Sequence, residues 1–179
     1  MTSDEALMLE FQQGSGEAFT ELFRRYREPI YGFFRRRLQD PSRAEELAQE
    51  AFLVILKSVQ RYEPRALFRT YLYGIAVNMM HAELRKAGRQ STHSSDAKEV
   101  DNLADPATIA DPDAGIVVRD VVGRLDEAER EVLLLREYEQ LSYEDIAAVM
   151  RIPVNTVRSR LFRARMALRD LLMARRPQA

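Results

Sequence analysis

Apolar side chains recur along most of this chain at intervals of three and four residues, the spacing that lines one face of an α-helix. The two-residue alternation of a half-buried strand does not compete with it anywhere. Thr2 and Glu5 have the form of a capping box and predict a short first helix ending near Gly14. Phe19, Leu22, Phe23, Tyr26, Ile30, Phe33 and Leu38 then predict one long helix that Pro29 kinks without ending. Ser42 is the candidate cap of a third helix striped with Leu47, Ala51, Phe52, Ile55, Leu56 and Val59. After the break RYEPRA, the set Phe68, Tyr71, Leu72, Ile75, Ala76 and Met79 traces a fourth.

The period disappears between about Ala87 and Gly115, where Ser, Asp, Ala and Pro dominate, and that stretch reads as a linker. It resumes with Val117, Val118, Val121, Val122 and Leu125 as one short helix. A second follows from about Asp126 to Tyr138, with Val132, Leu133 and Leu135 inward. In LSYEDIAAVMRIPVNTVRSRLFRARMALRDLL, Ser142 and Asp145 start a helix on which Ile146 and Val149 face in. A short break at Met150–Ile152 separates it from a long Arg-rich helix beginning at Pro153. Helix, tight turn and second helix with basic outer positions make a helix-turn-helix pattern. The expected fold is all-α, with a helical bundle over 1–90 and a helix-turn-helix domain over 116–175. A flexible acidic linker, 91–115, joins them.

Composition removes several classes of function. Of the 179 residues, 46% are hydrophobic and 31% charged, with no apolar run of membrane-spanning length and no basic start followed by an apolar block. A cytoplasmic address is expected. The absence of Cys excludes disulfides, thiolate metal sites and direct thiol redox sensing. His81 and His93 form no imidazole cluster, so neither a metal nor any other cofactor is expected. Gly14-Ser15-Gly16 lacks the Lys of a phosphate loop.

The net charge of -1 argues against a nucleic-acid partner until it is divided along the chain. Residues 1–90 carry net +2, residues 91–115 net -5 and residues 116–179 net +2, with eight Arg against the single Asp170 in 151–176. A cationic end is masked by an acidic middle. On the Arg-rich helix, a wheel at about 100° per residue buries Val157, Leu161, Ala164 and Leu168. The opposite face carries Asn155, Ser159, Phe162 and Arg163, flanked by Thr156, Arg158 and Arg165. Asn, Ser and Arg match base edges and phosphates in a major groove, and an exposed Phe matches a thymine methyl. The blander alternative is a solvated surface helix, but this one has almost no acidic residues at i±4 to balance its arginines.

Three strings, DPSRAEELAQEAFLVILKSV, FRTYLYGIAVNMMHAELRKAGR and the helix-turn-helix segment, together resemble the extracytoplasmic-function sigma factors of bacterial RNA polymerase. The resemblance covers nearly the whole chain, in order. It implies a non-enzymatic initiation subunit whose partners are core RNA polymerase, through the β′ clamp helices and the β subunit, and promoter DNA. An anti-sigma factor is implied as a further partner. By this resemblance Glu46, Gln49, Glu50 and Phe52 dock on the polymerase, with Phe52 either the apolar anchor or a core residue. The loop RYEPRALF and the helix after it read and open the minus-ten element, with Tyr62, Arg65, Arg69, Tyr71, Asn78, Arg85, Lys86 and Arg89 as candidates. Tyr71 is equally a core candidate, and the lesser alternative for Asn78 is an ordinary polar helix residue. Arg158, Ser159, Phe162 and Arg163 meet the minus-thirty-five element, and the acidic linker threads through the polymerase.

The chain departs from the family pattern at Tyr71, where Trp is usual, at Ala82, where Asp is common, and in the loop, where Tyr-Glu-Pro replaces Phe-Arg-Gly. Arg151 and Asn155 stand where Gly is common; Asn tolerates left-handed backbone, whereas Arg151 avoids it or accepts strain. The Arg35–Arg37 run is either solvated surface or a contact to upstream DNA backbone. Two rival functions remain open: a stand-alone helix-turn-helix activator that binds a palindromic duplex without polymerase, and a helical adaptor that binds only proteins.

Overall fold

Ser3 caps the first helix, one residue later than the Thr2 box predicts. Its hydroxyl accepts from the Ala6 N–H, and α1 runs Asp4–Gln12. Glu5 therefore sits inside the first turn, and its carboxylate accepts instead from the backbone N–H of Phe68 at 2.8 Å. The computed structural model describes residues 2–38, 40–91 and 120–174. The predicted positions Val117 and Val118, together with His93 and the linker residues beyond 91, lie outside them. Contacts divide the chain into two units, Met1–Glu99 and Val100–Ala179. Every regular element among the described residues is helical.

In the first unit, Gly14 turns the chain at φ +104, which a residue without Cβ adopts readily, and Ser15 caps α2, Gly16–Arg35. That helix runs through Pro29 without a break, as the hydrophobic period predicts. The third helix, α3, is Pro41–Ser58, and its cap is Asp40 rather than Ser42. Asp40 accepts from the Ser42 N–H, with Pro41 at the first helical position, where its missing N–H costs nothing. A 3₁₀ turn, Val59–Arg61, leads into the loop before α4, Phe68–Ser91.

The core of this unit is built from Met8, Leu22, Ile30, Phe33, Phe34, Leu47, Phe52, Ile55, Phe68, Leu72, Tyr73, Val77 and Met80. On α4 the buried arc differs from the predicted stripe: Ile75 and Met79 are half-buried, while Tyr73, Val77 and Met80 are inside. The cause is that α4 packs against α1, α2 and α3 at once, so a single amphipathic stripe does not describe it. Leu56, expected inside, is exposed.

In the second unit, residues 120–123 are helical (α5), followed by α6 Glu127–Glu137, α7 Tyr143–Met150 and α8 Val154–Ala174. Asp126 caps α6. Ser142 and Asp145 form the reciprocal capping box on α7 that their spacing predicts. Leu134 joins Val132, Leu133 and Leu135 in the interior, because α6 is packed by both α7 and α8. Val157, Leu161 and Ala164 of α8 are buried, whereas Leu168 is only half-buried. Between α7 and α8, Arg151 adopts the left-handed conformation, φ 55 and ψ 46. Asn155, by contrast, lies in the first turn of α8 and needs no special backbone.

Candidate nucleic-acid interface

Burial of Val157, Leu161 and Ala164 fixes the rotation of α8, so its opposite face is turned outward. Asn155, Arg158, Ser159, Phe162, Arg163 and Arg165 are exposed and Thr156 is half-buried. Phe162 is 64% exposed, a large ring in water amid hydrogen-bonding side chains. Asn155 accepts from Arg158 Nη1 at 3.5 Å, and Ser159 donates to the Thr156 carbonyl at 3.1 Å. The arginines do have acidic partners, but on another helix. Arg163 donates from Nε to Glu129 at 2.6 Å, and Arg165 from Nη2 to Glu137 at 3.0 Å. Both carboxylates come from α6, which i±4 spacing along α8 cannot reveal.

In the first unit, the loop before α4 is held at both ends by α1. Gln12 Nε2 donates to the carbonyls of Val59 and Tyr62 at 3.0 and 3.2 Å, while Glu5 caps α4 at Phe68. Tyr62 is buried, with ring centroids 5.4 Å from Tyr71 and 6.5 Å from Phe68, so it supports the loop and does not stand free for stacking. Its hydroxyl is buried without a hydrogen-bond partner, and burial pushes its pKa up to about 12. A recess of about 300 Å³ opens beside it, lined by Arg61, Tyr62, Glu63, Arg65 and Tyr71.

Tyr71 belongs to both of its expected settings, being half-buried with its hydroxyl 2.7 Å from Ser58 Oγ while also lining the recess. Arg65 is exposed and paired with Glu63 at 2.5 Å; Arg69 is half-buried over the Tyr73 ring. Asn78, Arg85, Lys86 and Arg89 are exposed on α4. Seven residues make a near-integral number of helical turns, drifting only about 20°, so Tyr71, Asn78 and Arg85 form one line leading away from the recess.

The polar members of the expected docking string, Glu46, Gln49 and Glu50, are exposed on α3. Phe52 is not an exposed anchor. It is 4% exposed, in edge contact with Phe23 at 4.9 Å, because the ring closes the core between α2 and α3. The exposed apolar side chains nearby are Phe23, Leu53, Val54 and Leu56. A groove of about 330 Å³ runs between α2 and α3 past Phe23, Tyr31, Gln49 and the edge of Phe52.

Arg43, which the sequence pattern does not single out, ties the acids together. It grips Glu83 of α4 with two bonds of 2.8 Å and reaches Glu46 at 2.9 Å and Glu50 at 3.3 Å. Hydrogen bonding to Arg43 holds the Glu83 carboxyl below its usual range. The Arg35–Arg37 run is half-buried: Arg35 donates to the Leu38 carbonyl, and Arg37 donates to the Phe33 carbonyl while lying over its ring at 3.8 Å. These arginines close the carboxyl end of α2.

Comparison with known proteins places these surfaces in a family. Residues 22–90 match the family model of Sigma-70 region 2, and residues 116–168 that of Sigma-70, region 4. The RNA polymerase sigma-H factor of Pseudomonas aeruginosa is 36% identical over 176 residues, spanning 92% of this chain and 91% of that protein. An ECF RNA polymerase sigma-E factor of Haemophilus influenzae is 35% identical over 91% of this chain and 92% of its own length. Its counterpart in Escherichia coli is 34% identical over 93% and 92%.

Among solved structures, the sigma factor RpoE in complex with the anti-sigma factor NepR, from Bartonella quintana, superposes with a TM-score of 0.75. It is 24% identical and covers 88% of this chain and 98% of that one. CnrH, in complex with the cytosolic domain of CnrY, gives 0.69 at 23% identity over 97% and 99%. At these identities the structures establish a shared helical fold. Among the described residues, no helix is long and apolar enough to cross a membrane. With two sigma regions matched in order and relatives more than one-third identical along nine-tenths of its length, the chain belongs to the extracytoplasmic-function sigma factors, initiation factors that direct transcription from promoters.

Proposed function

We propose that the chain recruits core RNA polymerase through α3 and reads both promoter elements, the minus-ten with residues 1–90 and the minus-thirty-five with residues 116–175. The observation that carries this reading is the outward face of α8, where an exposed Phe162 stands among Asn155, Arg158, Ser159 and Arg163. A water-facing ring between base-edge donors and acceptors suits a major groove. In the first unit, the recess beside Tyr62 offers space for an extruded base, and the line Tyr71, Asn78, Arg85 offers an aromatic, an amide and a cation to the displaced strand. Arg65, Arg69, Lys86 and Arg89 add positive charge beside it.

Docking on the β′ clamp helices uses Glu46, Gln49 and Glu50, with Leu53, Val54 and Leu56 supplying the apolar contact that buried Phe52 does not. The sigma factors RpoE and CnrH were solved bound to NepR and CnrY, which supports an anti-sigma factor as a partner of this chain too. Its place of action is then the cytoplasm, with the polymerase.

Run-off transcription with core polymerase and a candidate promoter tests the proposal. The expected result is a promoter-specific transcript that requires both proteins, lost with Gln49→Arg plus Glu50→Arg while circular dichroism stays unchanged. Tight binding to a palindromic duplex without polymerase would establish the stand-alone activator instead. Harmless neutralisation of the α8 arginines would leave only a protein adaptor.

A further inference from the structure

An arginine reads guanine by presenting two of its nitrogens together to O6 and N7, and an untethered arginine has first to freeze several rotatable bonds. Arg163 is already tethered. Its Nε–H is given to Glu129 Oε1 at 2.6 Å, and its Nη1 and Nη2 donate no hydrogen bond among the described residues. The side chain of Glu129 is 16% exposed against 56% for Arg163, so the fixed end of the pair is the carboxylate. Glu129 lies in the first turn of α6, and that helix packs on α8, with Val132 and Leu135 buried on one side and Leu161 and Ala164 on the other. The clamp and the clamped residue therefore belong to one packed body. Arg165, two residues on, is held differently: Glu137 takes its Nη2 at 3.0 Å, which occupies the outer end of the fork, and Glu137 is itself 52% exposed.

We infer that Glu129 is a positioning residue for promoter reading: it holds Arg163 by Nε so that both outer nitrogens are presented to one guanine of the upstream element. Arg165, whose outer nitrogen is already bonded, is left to meet phosphate. The inference rests on the reading of α8 as the promoter-facing helix, and it makes the base preference at one position depend on a residue that touches no DNA. A carboxylate that merely competed with DNA for Arg163 would behave oppositely. Its removal would strengthen binding to every sequence alike.

Holoenzyme assembled from the full chain and core polymerase is measured on a promoter series in which each upstream base pair is changed in turn. Four chains are compared: wild type, Arg163→Ala, Glu129→Ala and Glu129→Gln. The expected result is one position where wild type prefers guanine and Arg163→Ala does not. At that position alone, Glu129→Ala lowers the preference by about fivefold, the cost of re-freezing a released arginine. Glu129→Gln keeps an oxygen for the Nε–H and restores most of the preference. Preference unchanged in Glu129→Ala beside a clear loss in Arg163→Ala overturns the inference and leaves the reading of α8 standing, as does a uniform gain in affinity. A loss spread over all positions in both Glu129 variants makes the residue structural and also overturns it. If Arg163→Ala changes no preference at any position, Arg163 reads no base and the inference is overturned as well.

Discussion

Replacing Arg151 by Gly should stabilise the second unit, and the sign follows from two opposing terms. At φ 55 and ψ 46 a residue with a Cβ crowds the following carbonyl, at a cost of roughly 1–2 kcal/mol. Glycine removes that cost but frees the unfolded chain, which takes back about 0.4–1 kcal/mol. The side chain contributes nothing to offset: Arg151 is exposed and makes no side-chain hydrogen bond or ion pair among the described residues. The backbone bond that closes the turn, Ile152 N–H to the Ala147 carbonyl at 3.0 Å, is available to either residue. The net gain is therefore about 0.5–1 kcal/mol, which slows hydrogen exchange at the α7 and α8 amides roughly two- to fivefold. In the full chain this also raises the melting temperature of that unit by about 2–8 °C. Arg151→Ala, which removes the same side chain and keeps the Cβ, should be nearly neutral. Equal or faster exchange in Arg151→Gly would refute the strain argument, and an Ala variant as stable as the Gly variant would move the effect to the side chain.

Three further outcomes are expected. Tyr62→Phe removes a buried hydroxyl without a partner, so urea unfolding should show no loss and a gain of up to about 1 kcal/mol. Because the folded pKa is raised to about 12 from 10.0, wild type keeps this group's contribution below pH 10 and loses it as pH rises toward 12; Tyr62→Phe should lack that alkaline component. Glu83 has a lowered folded pKa, so its pair with Arg43 contributes fully above the ordinary carboxyl range and is lost as pH falls through the depressed value. Glu83→Gln should cost about 1–2 kcal/mol at neutral pH, with the difference from wild type shrinking in acid denaturation series. Phe52→Ala should cost about 3–4 kcal/mol by opening a core cavity, whereas Leu53→Asp should stay within about 0.5 kcal/mol of wild type and weaken polymerase binding in pull-down titration.

Helical periodicity located almost every element, because α7, α8 and most of α2 and α3 bury a single stripe. It failed where burial is not a stripe. Helix α4 is enclosed by three neighbours, which brought Tyr73, Val77 and Met80 inside; α6 is enclosed by two, which added Leu134. Caps were legible when reciprocal, as at Ser142 and Asp145, and misplaced where another group competed. Glu5 left its own helix for the Phe68 N–H, and Pro41 made Asp40 the better start for α3. On the site, the exposed face of α8 followed from the wheel alone. What the sequence could not show were the partners that cross between helices, Arg43 with Glu83 and Arg163 with Glu129. They lie 40 and 34 residues apart, and no local pattern records them. Phe52 was ambiguous for a related reason: an aromatic in a helical stripe looks the same whether it closes a core or awaits a partner.

The ties that fix the loop between Val59 and Phe68 reach far along the chain. Gln12 reaches it across 47 and 50 residues, and Glu5 across 63, whereas the interhelical ion pairs of the second unit span 34 and 28. Closing a longer stretch of chain costs more entropy before any contact rewards it, here by about 0.5 kcal/mol for each near-doubling of the span. The recess beside Tyr62 is thus bounded by a loop whose ends are tied to Gln12 and Glu5, and its shape depends on the first dozen residues of the chain. Variation in α1, far from α4 in sequence, becomes variation in the geometry of that recess.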